Sequence, residues 1–188
     1  MGAPPILQDV WQERQRRWGK EDNAYTYENG NAPLPRVDVF VYRASDDTKM
    51  TTFATIGVAQ RPMQDSSRAE LHCAVRGMVP RDQEAAIATE LANLACFPWS
   101  PGVERPLDWG QTLGLSNEMP GFPGCSAVFL SGPFTNEGWS WMDAGGEKVR
   151  VINVVPITAA ERAQASQSSP LDFIVDLMSR VDIFSPRP

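Results

Sequence analysis

The chain has 188 residues, of which 42% are hydrophobic and 21% charged, and its formal net charge is −6. This composition is typical of a folded protein with one buried core and argues against a disordered chain. The acidic balance argues against nucleic-acid binding, because a phosphate backbone requires a basic surface. All of the excess negative charge lies after residue 36, where it either keeps the surface solvated or attracts a basic partner.

The N-terminal part is predicted to form a helix followed by a loop. Apolar residues recur at helical spacing through residues 6–18, and Gly19 is a plausible stop. Residues 21–35 are rich in Asn, Asp, Gly and Pro, which favours a connecting loop. We therefore expect residues 1–35 to be an N-terminal helix and loop, and residues 36–188 to be the main domain, within a single globular unit.

The next segment predicts three strands and a helix. Residues 37–42 alternate at period two and are apolar on both sides, which is typical of a central strand. Residues 50–58 follow after a short turn, so the two strands should form a hairpin that Gly57 bends. Residues 70–75 alternate in the same way. The apolar band of residues 82–96 then predicts a helix that Asp82 caps.

Residues 97–124 contain five prolines and five glycines and predict a long loop. Such a loop is either functional or held in place by its own aromatic side chains. The remaining predicted elements are a strand at 125–130, a short strand near 139–141, a hairpin turn at 144–148, a strand at 149–156, a polar helix at 160–165 and an amphipathic helix at 171–178.

Residues with catalytic or metal-binding chemistry are scarce. The only histidine is His72, predicted to lie mid-strand on the same face as Glu70. The cysteines Cys73, Cys96 and Cys125 are widely spaced, which disfavours a disulfide framework and a zinc site. The two glycine-rich motifs that bind phosphate groups, G-x-x-x-x-G-K-(S/T) and G-x-G-x-x-G, do not occur in the sequence. We therefore expect no catalytic residue, metal or cofactor. An enzyme built around His72 and a cysteine stays open as an alternative.

We expect neither a signal peptide nor a membrane-spanning segment. The N-terminus lacks the apolar run of a signal peptide, and no stretch approaches the roughly 20 apolar residues that span a bilayer. Scattered cysteines suit a reducing compartment. The prediction is a cytoplasmic protein that binds neither membrane nor nucleic acid.

Aromatic side chains in the flexible segments are the strongest binding candidates, because tryptophan buries a large rigid surface at interfaces. Each is equally able to anchor a loop. The alternation at Trp139 and Trp141 predicts two indoles on one strand face, near Glu137 and Asp143. The candidate partner-binding residues are these tryptophans and their acidic neighbours: Trp99, Glu104, Asp108, Trp109, Glu137, Trp139, Trp141 and Asp143.

A series of short segments resembles the suppressor-of-fused (SUFU) domain of bacterial proteins in order and spacing. The segments are Val37-Asp-Val39, Thr52-Phe-Ala-Thr55-x-Gly57, Arg61-Pro-Met63, Arg68-Ala-Glu-Leu71, Leu91-Ala-Asn-Leu-Ala95 before Phe97-Pro98, and Ile152-Asn-Val-Val-Pro-Ile157. The resemblance covers residues 36–182. It implies an α/β (α+β) fold in which a mixed β-sheet is flanked by helices.

The resemblance also implies a function in binding. Bacterial relatives commonly look like immunity proteins that neutralise cognate toxins, and animal members restrain a transcription factor. The leading hypothesis is an immunity protein that binds a secreted toxin domain, basic in charge, and occludes its active site. The alternative is a regulatory scaffold that binds an endogenous protein or peptide by strand addition to a sheet edge.

Overall fold

The fold is described by a computed structural model over residues 4–28 and 33–187. Within these residues, the chain folds around one eight-stranded β-sheet. The strands are β1 (Asn23–Glu28), β2 (Arg36–Tyr42), β3 (Met50–Ile56), β4 (Arg68–Arg76), β5 (Thr112–Gly114), β6 (Ala127–Ser131), β7 (Trp141–Ala144) and β8 (Glu147–Ile157). The helices are α1 (Pro5–Trp18), α2 (Arg81–Ala95), α3 (Ala159–Ala165) and α4 (Pro170–Arg180).

The sheet is mixed, as the family resemblance implied. Its order is β1-β2-β3-β4-β8-β6-β5, and β7 pairs with β8 as well. Strands β1 to β4 are successively antiparallel, and the predicted hairpin of β2 and β3 is confirmed. Strand β8 runs parallel to β4 but antiparallel to β6 and β7. Helices lie on both faces, so the prediction of a mixed sheet flanked by helices is confirmed.

One face of the sheet is covered by α2 and by the long segment after it. The largest buried cluster joins inward residues of β2, β3 and β4 to the apolar stripe of α2, including Val39, Phe53, Leu71, Ile87 and Leu91. Small residues along α2 let the helix pack closely on the strands. We call this side the α2 face.

Two helix layers share the opposite face of the sheet. The end formed by β3, β7 and β8 is covered by α1, which buries Val10 against residues such as Ile56 and Val149. Helix α4 covers β6 and the C-terminal part of β8, where Phe129 packs against Phe173. We call this side the α1/α4 face. A groove remains between the two helices, with the sheet as its floor.

Several predicted elements differ from the structure. Part of the predicted loop at 21–35 is strand β1, and residues 29–32 of that loop lie outside the described residues. The strand forms because Tyr25 and Tyr27 alternate toward α2, where their hydroxyls bond Glu84 and Thr89. The predicted loop at 97–124 contains the short strand β5 and a 3-10 turn at Phe97–Trp99.

Helix α2 begins one residue earlier than predicted, and Asp82 does not cap it. Pro80 precedes the helix and no side chain bonds its first turn at the cap, so Asp82 lies within that turn, where the helix dipole favours a carboxylate. The neighbouring Glu84 fastens the helix to the sheet. Its buried carboxylate accepts hydrogen bonds from Asn23 at 2.9 Å and from Arg43 at 2.9 and 3.0 Å.

Glycine marks two places where the chain changes direction. Strand β3 ends at Ile56, and Gly57 follows with φ +132°. A Cβ there would lie 2.5 Å from the carbonyl oxygen of Arg36, so only glycine fits without displacing β2. The hairpin of β7 and β8 turns through Gly145 and Gly146, both with positive φ, which confirms the predicted turn.

Candidate protein-binding surface

A stack of three side chains, Trp109, Trp141 and Arg150, lies on the α2 face. The rings of Trp109 and Trp141 meet edge to face with centroids 5.6 Å apart. The guanidinium of Arg150 lies 5.5 Å from the Trp109 centroid and 5.1 Å from that of Trp141. Cation–π contacts of this kind hold aromatic rings in fixed orientations. We call this stack, with Asp108, Asp143 and Lys148 around it, the tryptophan–arginine patch.

The backbone of β8 and the long segment position the patch. The indole Nε1–H of Trp109 donates to the carbonyl oxygen of Val151 at 3.0 Å. Arg150 pairs with Asp108 at 2.8 Å and also donates to the carbonyl oxygen of Leu107 at 3.3 Å. These contacts order residues 107–109 before any partner arrives. Trp141 remains 41% exposed, so its ring is both held and accessible.

The charges of the patch cancel. Asp108 pairs with Arg150, and Asp143 pairs with Lys148 at 2.7 Å. Both Asp143 and Lys148 are well exposed, and such a pair contributes about 0–1 kcal/mol to stability. The patch therefore offers a partner an aromatic surface with balanced charges at its rim.

Trp139 is not on the face that the alternation predicted. Strand β7 begins only at Trp141, and Trp139 turns to the α1/α4 face. Its ring meets Trp18 at 5.4 Å and His72 at 5.6 Å between centroids. The expectation of two indoles side by side is therefore wrong, because the strand geometry that would align them is missing before Trp141.

The other predicted residues are dispersed. Glu137 is exposed in the loop before β7, where its carbonyl oxygen accepts a 3.5 Å bond from Arg17. Trp99 lies in the 3-10 turn after α2, with Arg61 5.5 Å above its ring, and Glu104 is exposed farther along the same segment. Within residues 4–28 and 33–187, no ring contact or ion pair joins these three to the tryptophan–arginine patch.

A buried polar cluster under α1 was missed by the sequence reasoning. Arg14 is 0% exposed, and its Nη2 donates to Nε2 of His72 over 3.3 Å. Its Nε and Nη1 have no hydrogen-bond partner in the described part of the chain. The helical spacing of Val10, Arg14 and Trp18 was the available signal, since it places the arginine on the inward stripe.

Glu70 and His72 complete this cluster on strand β4. The Glu70 carboxylate accepts bonds from the Thr55 hydroxyl at 2.6 Å and from the backbone N–H groups of Gly57 and Ala59 at 3.0 and 3.1 Å. Burial raises the pKa of Glu70, while Arg14 and these bonds oppose the shift. The predicted placement of both side chains on one face of a strand agrees with the structure.

Two adjacent residues of strand β4, whose side chains lie on opposite faces of the sheet, are held neutral by their surroundings. Burial, together with the positive charges of Arg14 and Arg17, holds the pKa of His72 well below its usual 6.5. Burial raises the pKa of the neighbouring Cys73 thiol to about 12, so this thiol stays protonated at neutral pH. A neutral imidazole enclosed by tryptophan rings is suited to packing and hydrogen bonding.

Metal and membrane features can be addressed only for the part of the chain that the structure describes. In that part, no group of three or more His, Cys, Asp or Glu side chains could hold a metal ion. None of its helices has the length and apolar character needed to cross a bilayer. All three cysteines are free thiols.

The model of the family described as suppressor of fused protein (SUFU) matches residues 34–187 of this chain. No curated protein sequence matches the chain.

Solved structures share the fold at low sequence identity. A protein described as a SUFU homolog from Neisseria gonorrhoeae aligns with a TM-score of 0.69 and 17% identity, over 97% of this chain and 94% of that one. A chain of the Sufu–Fu complex aligns with a TM-score of 0.66 and 14% identity, over 97% and 86%. Drosophila Suppressor of Fused gives the same TM-score and identity over 96% of this chain and 48% of its own.

Proposed function

Because this chain belongs to the suppressor of fused family, we propose that it works by binding a protein partner, and that the partner is a secreted toxin domain which it neutralises as an immunity protein. The toxin would be held with its active site occluded. The protein would act in the cytoplasm, and its free, largely buried thiols are compatible with a reducing compartment.

The exposed ring of Trp141 is the observation that supports binding through the tryptophan–arginine patch. Binding energy concentrates in a few tryptophan, tyrosine and arginine side chains that are well packed before the partner arrives. Trp109 and Arg150 fix the Trp141 ring from two sides. A side chain that is already ordered loses little conformational entropy on binding.

The proposal of a basic partner rests on the net charge of −6. A negative protein accelerates its encounter with a positive one at low ionic strength, even where the contact surface itself is balanced. In this arrangement the overall charge steers association, and the patch supplies the lasting contacts. One of the similar structures is the Sufu–Fu complex, and this supports the proposal that the partner of this chain is a protein.

Co-expression with a candidate toxin, taken from the genes adjacent to this one, tests the proposal. Cells should survive toxin expression only when this chain is present, and the two proteins should co-purify. The variant Trp141→Ala should weaken binding by at least about tenfold, the loss typical of an interface hot spot. Trp11→Ala is the matched control, since Trp11 is 44% exposed but lies on α1. Failure to bind the toxin or to protect the cells would rule out the immunity function.

A regulatory scaffold is the second candidate, and the edge of the sheet favours it. Strand β1 is an edge strand of the sheet, and no strand in the described part of the chain pairs with its outer side. An extended peptide could add a strand there through backbone hydrogen bonds. Such binding would slow hydrogen exchange of outward-facing amides in β1. Binding that leaves those amides unchanged would eliminate strand addition at this edge.

A further inference from the structure

The groove between α1 and α4 has a different chemistry from the tryptophan–arginine patch. It has a volume of about 420 Å³, within the range of about 300–1,000 Å³ typical of ligand sites. Trp18 and Trp139 line it from the α1 side, and Phe134, Met178 and Phe184 line it from the α4 side. Met178 is 40% exposed, so the groove opens to solvent beside α4.

The floor of the groove carries two polar side chains side by side. His72 of β4 and Asn153 of β8 are direct partners in the parallel strand pairing, and both line the groove. The His72 side chain belongs to a residue only 4% exposed. A nearly buried polar group on an aromatic-walled floor is costly unless it has a hydrogen-bond partner.

Arg14 fixes the proton position on His72. An arginine can only donate, so Nε2 of His72 accepts the 3.3 Å bond and the ring proton lies on Nδ1. No hydrogen bond in the described part of the chain uses Nδ1. The floor therefore offers one N–H donor that lacks a protein acceptor.

Asn153 supplies the complementary acceptor. Its Nδ2 donates to the carbonyl oxygen of Gly132 at 2.9 Å, which orients the amide and leaves Oδ1 as the free end. A donor and an acceptor on neighbouring strands match the C=O and N–H of an amide group. Arg17, stacked over Trp139 at 4.9 Å, is the only charged side chain that lines the groove in the described part of the chain.

We propose that this groove is a second binding site, which takes an aromatic side chain of a partner polypeptide together with the uncharged amide beside it. The ring would pack between Trp139 and Met178, and aromatic pairs prefer such edge-to-face or offset contacts. The amide carbonyl would accept from His72 Nδ1, and the amide N–H would donate to Asn153 Oδ1. The site lies on the face opposite Trp141, so it does not depend on the patch.

The proposal is tested with 3-phenylpropanamide, a ring with a single amide, as the probe, titrated into the full chain and followed by NMR. The indole N–H of Trp139 and the backbone amides of His72 and Asn153 should shift with a dissociation constant of about 1 mM, as expected for a fragment of this size. Two matched probes separate the contributions. Propanamide lacks the ring, and 3-phenylpropanoate replaces the single amide with a carboxylate that cannot donate.

Both matched probes should bind at least about tenfold more weakly. Met178→Glu, a change at an exposed position that should leave the fold intact, should weaken the amide probe by a similar factor, whereas Trp141→Ala should leave it unchanged. The proposal is overturned if the groove residues do not shift at 20-fold the expected dissociation constant, about 20 mM. It is also overturned if the carboxylate probe binds as well as the amide, or if Met178→Glu has no effect.

Discussion

Trp139 and Trp141 are separated by one residue, yet they belong to opposite sides of the sheet. Trp139 packs over the buried Arg14–His72 cluster, whereas Trp141 is held on the surface by Trp109 and Arg150. One tryptophan therefore closes a polar interior, and its neighbour presents a ring to solvent. The same residue type serves stability on one face and is available for recognition on the other.

Removal of the Glu70 carboxylate should have the largest effect on stability. Glu70→Ala leaves two buried backbone N–H groups without their acceptor, which costs about 1–3 kcal/mol for each group, and it removes the negative charge that favours the charged form of buried Arg14. Urea denaturation measures the change in unfolding free energy. On the patch, Asp108→Ala should cost only about 1 kcal/mol, because Asp108 is half exposed and solvent screens its charge.

A double variant shows whether the buried charges are coupled. If Glu70→Ala does not fold, Glu70→Gln keeps the side-chain shape and should still lower stability. Arg14→Met should then cost less in the Glu70→Gln background than in the native chain, because the uncompensated charge is already present. Equal costs in both backgrounds would show that Arg14 and Glu70 do not interact.

Truncation of Trp139 should mainly reduce stability, whereas truncation of Trp141 should mainly reduce partner binding. Trp139→Ala should lower the unfolding free energy by about 3 kcal/mol, because the ring packs against Trp18 and His72. Trp141→Ala should change it by less than about 1 kcal/mol but should weaken partner binding. Denaturation and binding measurements on the same two variants provide the comparison. A large stability loss from Trp141→Ala would remove the distinction between the two faces.

Acid should destabilise the α1/α4 face through His72. The pKa of His72 in the folded protein lies well below 6.5, so the unfolded chain binds a proton more readily between these two values. The stability from neutral His72 is therefore complete above pH 6.5 and is lost as pH falls below it, by at most about 1.4 kcal/mol per pH unit.

His72→Gln isolates this effect, because the Gln oxygen can still accept from Arg14 but does not titrate. Glu70 titrates with the opposite sign, since burial raises the pKa of its carboxyl. The quantity to measure is thus the difference in unfolding free energy between the native chain and His72→Gln, from pH 7.5 to 5, as an expected window below the usual His pKa of about 6.5. A difference that does not change across this window would contradict a depressed pKa for His72.

The sequence predicted the sheet better than it predicted the surface. Strands with clear alternation, such as β2 and β4, were found where expected, because one face of each is buried against α2. Strand β1 was missed because its two tyrosines lie in a polar segment that reads as a loop. Burial of Arg14 depends on residues 58 positions away, and short-range periodicity carries no information on that contact.

The candidate site was only partly visible in the sequence. Trp109 and Trp141 were selected as aromatic residues, but Arg150, which joins them, was not. Arg150 looks like an ordinary exposed residue of a strand, and only the pairing of β7 with β8 brings it next to Trp141. Such a patch is formed by contacts between separate elements of the fold. The alternation of apolar and polar residues within a single strand does not predict those contacts.

The smallest expected effect is on the association rate with the toxin when the exposed carboxylates Asp143 and Glu137 are replaced. Comparison of the two variants shows whether the rate depends on charge at the patch or on the net charge of the protein. Asp143→Lys and Glu137→Lys each change the net charge by +2, so both should reduce long-range attraction of a basic toxin equally. Asp143 lies beside Trp141, whereas Glu137 lies in the loop before Trp139. If the toxin docks on the patch, Asp143→Lys should slow association at low salt severalfold more than Glu137→Lys does, as stopped-flow fluorescence can measure.

The slowing by both variants should fade at high salt, and their unfolding free energies should change by less than about 1 kcal/mol. Equal slowing by the two variants would mean that steering depends on net charge alone, and greater slowing by Glu137→Lys would move the docking surface to the α1/α4 face.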